Sequence, residues 1–271
     1  MAELRAVWRT LKTLWKIGRC HRPRPADANS FGMSFQIHAE HLPLSNLQHS
    51  ARTWNASVGE LMLAAMLEWF LEKDRLHRPP ARSRNHCMSV LVDLTRRAES
   101  KPMRQFGQYL SAVNIIANRR HNSSFEGLLQ QVRASVRPEN TVADSLHTLH
   151  GLSFNSCLVS RMPQAMSNQF QEFVFPISGA FSNVDLNAVL PTPRSDISIS
   201  NYFRGTCATQ MSPMILCLTT FRDTCTLTTT HRNSVYAPNE MREMARSIIG
   251  RAFGIDAATI TLEQLGPSKG K

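Results

Sequence analysis

Residues 61–71 are the stretch that most constrains the fold of this chain. The run Leu-Met-Leu-Ala-Ala-Met-Leu-Glu-Trp-Phe-Leu is apolar on nearly every side of a helix. Such a helix is stable only when other elements bury it almost completely. Ser57-Val-Gly-Glu60 stands just before it and has the form of a capping box, in which the serine hydroxyl accepts from the glutamate amide and the glutamate side chain reaches back. We therefore predict a central, buried helix that begins just after Ser57.

Strand-like and helix-like segments alternate around this helix. Two runs, 214–221 and 224–231, flank Arg222-Asp223 and are typical of a β-hairpin. The interleaved order predicts an α/β two-layer sandwich, a mixed β-sheet backed by helices. The other predicted strands are 31–38, 88–92, 109–116, 180–184 and 197–203; the other predicted helices start at Pro43, at a second capping box in 123–126, at Thr141 and at Pro238, the last with Gly254 as its C-cap.

The charge of the chain is concentrated at its N-terminus. The 271 residues carry a formal charge of +11, of which +6 falls within residues 1–26. The body has neither aromatic-interleaved basic patches nor a nucleic-acid-binding motif, so we expect no nucleic-acid partner. No run of eighteen apolar residues occurs, so we expect no transmembrane helix.

Residues 1–19 form a basic amphipathic pattern with Trp8 and Trp15 on the apolar side. One interpretation is peripheral contact with a membrane interface through this segment. The other, which most amphipathic helices satisfy, is packing on the rest of the protein or on a partner. Mitochondrial presequences share the pattern, so that interpretation also stays open. The prolines of 22–25 favour a linker. We predict three regions: the helix and linker in 1–26, a main lobe in 27–262 and a flexible tail in 263–271.

The six cysteines are scattered and form no CxxC pair, which argues against a zinc ribbon or a thioredoxin-type redox centre. A disulfide scaffold is not expected either, because a chain of this length can bury its own core. We predict reduced thiols and a cytoplasmic location. Cys157 or Cys217 paired with a distant histidine has no local support as a nucleophile, and buried inert thiols are the default. His147 and His150 share a helical spacing without a third ligand, so no metal site is predicted.

Four segments, in order, resemble motifs of one family. Residues 51–65 (ARTWNASVGELMLAA) resemble its A-x-x-x-x-A-T-v-N-D-v-l-l-A-A helix, and 90–96 (VLVDLTR) resemble its v-x-v-d-l-R strand end. Residues 106–109 (FGQY) resemble f-G-N-x, and 181–184 (FSNV) resemble x-S-N-v. The order and spacing together resemble the C-terminal half of the CoA-dependent acyltransferase superfamily, which includes condensation domains, wax ester synthase/diacylglycerol acyltransferases and alcohol acetyltransferases.

The resemblance implies a chloramphenicol acetyltransferase-like half with an active-site channel beside the 181–184 strand. Ser182 and Asn183 would line that channel, and Asp93 and Arg96 would support it structurally. The co-substrate would be an acyl-CoA or acyl-carrier-protein thioester, with no permanently bound cofactor. In the family, the second histidine of HHxxxDG acts as general base. None of the ten histidines here is followed by xxxDG, so we assign no catalytic residue.

Two functional hypotheses follow. The first is an acyltransferase-related lobe, incomplete or dependent on an N-terminal half that bears HHxxxDG, supplied by another polypeptide; a homo-oligomer is the alternative assembly. The second is a non-catalytic binding or interaction module that uses the basic helix to dock on a membrane or a partner. The transfer from fold to activity is by analogy.

Overall fold

The computed structural model describes residues 15–21, 23, 35–77, 85–93, 110–118, 124–136, 156–164, 166–167, 170, 176–188, 199, 202, 204–209, 211–256 and 263–265. The strands in these ranges are β1 (Phe35–Pro43), β2 (Asn85–Asp93), β3 (Leu110–Asn118), β4 (Gly179–Asp185), β5 (Met214–Phe221), β6 (Thr224–Arg232) and β7 (Glu263–Leu265). The longer helices are α1 (Leu44–Thr53), α2 (Val58–His77), α3 (Phe125–Ser135) and α4 (Pro238–Phe253), and a 3₁₀ turn (Leu186–Ala188) follows β4.

The strands form one mixed sheet in the order β3-β2-β4-β5-β6-β1-β7. Strands β2, β4 and β5 run parallel to one another, and the remaining pairs are antiparallel. Parallel neighbours need a long crossover connection, whereas β5 and β6 are joined by a tight turn at Arg222-Asp223. The predicted α/β sandwich with a mixed sheet is confirmed, and so is the β-hairpin.

Helix α2 lies at the centre of the helical layer, as predicted. Residues 61–67 are all buried, because α3, α4 and the sheet surround this helix. The predicted capping box is present: the Ser57 amide donates to Glu60 Oε2 at 2.8 Å, and the Glu60 amide donates to Ser57 Oγ at 3.3 Å. At the far end of the chain, Gly254 ends α4 in the left-handed conformation at φ 64°, also as predicted.

The second predicted capping box is wrong in its register. Ser124 caps α3, and its hydroxyl accepts from the Gly127 amide at 3.2 Å. Glycine therefore occupies the position where a capping box needs Glu or Gln, so only half of the motif forms.

Three other predicted boundaries differ from the structure, and one predicted helix lies outside the described residues. Strand β1 continues to Pro43, so the proline ends a strand and occupies the position just before α1, without a side-chain capping hydrogen bond. The described positions 199 and 202, within the predicted strand 197–203, are not in a strand. Glu263–Leu265, placed in the flexible tail by the sequence, pairs with β1 as β7, because its backbone groups complete a sheet edge. The helix predicted from Thr141 lies outside the described residues.

The two faces of the sheet differ in chemistry. Met214, Leu216 and Leu218 of β5 belong to the main core under the helices. Because strand side chains alternate, the intervening Cys217 and Thr219 lie on the second face. The four longer helices pack on the first face. Cys217 and Thr219 are nevertheless only 0% and 1% exposed, so the second face is also covered. The second face is therefore a buried, partly polar surface. No helix in the described part of the chain is long and apolar enough to cross a membrane.

Candidate functional site

The second face is most polar where β4, β5 and β6 lie side by side. The register places Ser182 beside Cys217, and Cys217 beside Thr228. In the next row, Thr219 of β5 lies beside Thr226 of β6. Threonine suits a pleated surface because its branched Cβ favours the strand conformation, so β6 gains a row of hydroxyls without losing strand propensity.

Arg204 crosses this face and joins β4 to β5. Its Nη1 donates to Ser182 Oγ at 2.9 Å, and its Nε donates to Thr219 Oγ1 at 3.1 Å. Its Nη2 donates to the carbonyl oxygens of Ser182 and Leu218 at 3.0 and 3.1 Å. One planar guanidinium therefore makes four hydrogen bonds to two neighbouring strands.

These contacts fix the hydrogen-bonding role of Ser182. Arginine can only donate, so Ser182 Oγ must be the acceptor in its contact with Arg204. The hydroxyl proton of Ser182 is then left to donate, and no acceptor for it is found within the described residues. Ser182 is only 5% exposed, so its hydroxyl is a buried donor held next to a positive charge.

A histidine borders the same face through Thr226. Thr226 Oγ1 donates to the carbonyl oxygen of Tyr202 at 3.3 Å and lies 3.0 Å from His41 Nδ1. Because the hydroxyl proton is used toward Tyr202, we assign the proton of the second contact to His41 Nδ1. In its neutral form, His41 then carries the acceptor lone pair on Nε2.

Some polar groups on this face lack partners. The hydroxyls of Thr228 and Thr230 are buried, and neither has a hydrogen-bond partner in the structure as described. A buried hydroxyl without a hydrogen-bond partner lowers the free energy of unfolding, so we expect these two threonines to destabilise the fold.

The four residues chosen from the sequence fall in different places. Ser182 lies on the polar second face, and Asn183 lies on the opposite face of β4 and is exposed. Asp93 is the last residue of β2, paired with Leu110 in the backbone register. Its side chain and the whole of Arg96 lie outside the described residues, so their structural role stays a prediction.

Two of the buried thiols, Cys87 and Cys225, are not activated as nucleophiles, whereas Cys157 is exposed and Cys217 is buried on the second face. A hydrogen bond between the Cys87 thiol and Cys20, together with burial, raises the pKa of Cys87. Burial raises the pKa of Cys225, and a contact with Thr220 opposes this shift. Both thiols are therefore held in the neutral, unreactive form. Among the described residues, no group of three or more His, Cys, Asp or Glu side chains is placed to hold a metal ion, and His147 and His150 fall outside them.

Sequence reasoning missed Arg204 and His41. Each acts through partners that are distant in sequence: Arg204 contacts residues 14 to 22 positions away, and His41 contacts Thr226, 185 positions away. Neither residue stands in a local motif, so periodicity and spacing gave no signal for either.

The described end of the N-terminal segment packs on the lobe. Ile17 and Cys20 are buried in a small cluster with Cys87 and Ile177, and the His21 amide donates to the Asn85 carbonyl at 2.7 Å. At residues 17–21, the N-terminal segment therefore packs on the rest of the protein, as one of the interpretations of its amphipathic pattern predicts. In contrast, Trp15 is 61% exposed, and the Arg19 guanidinium lies 4.6 Å from the centre of its ring.

No protein-family model and no curated protein matches the chain. The fold, however, is similar to that of solved structures. The cyclization-docking bidomain of the peptide synthetase EpoB from Sorangium cellulosum has a TM-score of 0.61 at 12% identity, over 93% of this chain and 48% of that one. Trichothecene 15-O-acetyltransferase TRI3 from Fusarium sporotrichioides has a TM-score of 0.58 at 12% identity, over 90% and 50%. The nonribosomal peptide synthetase FmoA3 has a TM-score of 0.59 at 15% identity, over 93% of this chain and 26% of that one.

This chain thus spans about half or less of the length of the structures it resembles. The likeness confirms, at the level of the fold, the resemblance to condensation domains and related acyltransferases that the motifs indicated.

Proposed function

We propose that this chain is an acyl-transfer lobe, one wall of a channel in which an acyl thioester meets a hydroxyl or amine acceptor. The acyl donor would be an acyl-CoA or an acyl-carrier-protein thioester. The observation that carries the proposal is Ser182, which lies in the segment resembling x-S-N-v and is held by Arg204 as a buried donor.

The chemistry of such a transfer needs a base and a group that stabilises negative charge. The base takes the proton of the acceptor while its oxygen or nitrogen attacks the thioester carbonyl. Negative charge then develops on the carbonyl oxygen, and preorganised donors in a water-poor site stabilise it. Ser182 and Arg204 place hydrogen-bond donors and a positive charge on the second face, which is where the proposal places the channel.

The base is proposed to come from outside this sequence. None of the ten histidines is followed by xxxDG. We therefore propose that an N-terminal half bearing HHxxxDG completes the channel and supplies the base. The alternative assembly, a homo-oligomer, would cover the channel with a second copy of this chain but would still need the base from another polypeptide. We place the assembly in the cytoplasm, in keeping with the scattered, unpaired cysteines.

The test is a transfer assay with the full chain and a panel of acyl-CoA thioesters, alcohols and amines. The assay is run with the chain alone and with an HHxxxDG-bearing half added. Thioester binding is measured separately by calorimetry. We expect binding by the chain alone and transfer only with the second half, with transfer reduced in Ser182→Ala. Absence of both binding and transfer in every combination would contradict the proposal.

A second candidate function is docking of residues 1–19 on an anionic membrane surface. The observation that favours it is the exposed Trp15 beside Arg19, on the side away from the buried Ile17. Tryptophan and basic side chains together suit a lipid headgroup region. Sedimentation with anionic and neutral liposomes tests it: binding only to anionic vesicles, lost on deletion of 1–26 and weakened in Trp15→Ala, is expected. Equal pelleting of the deletion variant would exclude this function.

A further inference from the structure

Among the described residues, no acidic side chain forms an ion pair with the Arg204 guanidinium. Its four hydrogen bonds end on two carbonyl oxygens and two hydroxyls, all neutral. Within the described ranges, the ion pairs are Lys73–Glu240, Arg133–Glu60 and Arg251–Glu68, and none of them involves Arg204. The side chain is partly buried, where an unpaired charge is costly unless it is compensated.

Two hydrogen-bond donors at this point have no acceptor among the described residues. Arginine has five N–H groups, and four of them are used, which leaves one on Nη1. Ser182 Oγ lies 2.9 Å from that same Nη1 and has its own proton to donate. Two donors and a positive charge thus meet at one place, and a group with two oxygens and a negative charge complements them.

We propose that Arg204 and Ser182 form a binding subsite for an oxyanion, a carboxylate or a phosphate, that is carried by a substrate of the lobe. The oxyanion accepts from the remaining Nη1 proton and from the Ser182 hydroxyl, and it neutralises the guanidinium. The identity of the ligand as a substrate rests on the proposed function; the subsite itself rests on the hydrogen-bond geometry.

The polar groups around the subsite fit a ligand that extends beyond the oxyanion. Thr228 lies two strands from Ser182 on the same face, roughly 10 Å away. Its hydroxyl and that of Thr230 have no partner among the described residues. Polar groups of a bound substrate along this row would provide the hydrogen bonds that the protein does not.

The test compares ligand pairs that differ only in the anion. Butyryl- and succinyl-N-acetylcysteamine thioesters differ by one carboxylate and carry no phosphate; pantetheine and 4′-phosphopantetheine differ by one phosphate. Calorimetry with the full chain measures all four affinities. We expect one charged ligand to bind about tenfold or more tightly than its neutral partner, the effect of charge-assisted hydrogen bonds. The preferred pair identifies the source of the oxyanion.

Variants locate the effect. Arg204→Met and Ser182→Ala should each reduce the preference for the charged ligand. Arg204→Lys keeps the positive charge but should lose part of this preference, because an ammonium cannot make the same planar contacts. Arg246→Met, the same change at an exposed position on α4, should leave the preference unchanged. If circular dichroism shows that Arg204→Met is unfolded, Ser182→Ala and Arg204→Lys carry the comparison.

The outcomes separate the subsite from the proposed function. Equal affinities within both pairs, or a preference that is as large in Ser182→Ala and Arg204→Lys as in the unmodified chain, would overturn the subsite. Thioester binding without any anion preference would leave the acyl-transfer lobe standing and remove the subsite. Binding of inorganic phosphate or acetate that is lost in both variants, without thioester binding, would support the subsite and contradict the acyl-transfer function.

Discussion

Gly179 starts the strand that carries Ser182, and it has no room for a side chain. A Cβ built on Gly179 lies 2.6 Å from Met214 Cε, 3.3 Å from its Sδ and 3.2 Å from its carbonyl oxygen. Met214 is itself fully buried at the start of β5. The Gly179→Ala substitution therefore forces a packed methionine and the adjoining backbone of β5 to move.

The magnitude follows from these contacts. Overpacking of a filled core costs about 1–3 kcal/mol in the free energy of unfolding. Met214→Ala alone should cost about 2–5 kcal/mol, the range for truncating a buried Met. In the double variant, both side-chain contacts (Cε at 2.6 Å and Sδ at 3.3 Å) are gone, and the new methyl group occupies space that Met214 left; the contact with the backbone carbonyl oxygen remains. We therefore expect the double variant to cost at least about 1 kcal/mol less than the sum of the single variants.

Urea unfolding of the four proteins, followed by far-UV circular dichroism, measures this cycle. Gly59→Ala is the matched control, because a Cβ at Gly59 meets nothing within 4 Å and the residue lies in α2. That substitution should stabilise the protein by about 0.4–1 kcal/mol, since it restricts the unfolded chain. If Gly179→Ala were as harmless as Gly59→Ala, or if the cycle were additive, the packing argument at β4 would be refuted.

Three further predictions concern stability. Ser57→Ala should cost about 0.5–2 kcal/mol in urea unfolding because it removes the cap of α2, and Ser57→Thr should restore most of it; an equal loss in both would contradict the capping role. Thr228→Val should stabilise the protein by roughly 1 kcal/mol because its hydroxyl is buried without a described partner, and destabilisation would show that the hydroxyl is satisfied. The pKa values of Cys87 and Cys225 are raised in the folded chain, so the unfolded chain loses its thiol protons at lower pH. The contribution of these thiols to the free energy of unfolding should therefore be fully present below about pH 8.5 and fall as the pH rises toward their pKa values in the folded chain. Unfolding at pH 7.5 and 9.5 checks this, and a smaller fall in Cys87→Ala is expected.

The parts of the fold that the sequence predicted are those fixed by local chemistry. The buried α2 follows from an apolar run behind a capping box, and the β5–β6 hairpin follows from two strand-like runs around a two-residue turn. The register of the α3 cap was missed because Ser123 and Ser124 are both acceptable caps, and packing of α3 rather than spacing decides between them. The pairing of β7 with β1 was missed because three residues are too few to show an alternating pattern.

The site was harder to predict from the sequence than the fold, because it depends on the order of the strands in the sheet. A buried strand has the same apolar pattern whether its neighbour is parallel or antiparallel, so the parallel pairing of β4 with β5 is not visible in either segment. That pairing requires a crossover connection, because the chain must return to the start of the sheet before β5 can begin. The described part of this connection passes over the second face, since the other face is covered by the helices, and this path brings Arg204 onto Ser182 and Thr219. The position of the guanidinium is thus a consequence of topology, and the polar residues of a connection between adjacent parallel strands are where a functional contact of this kind should be sought.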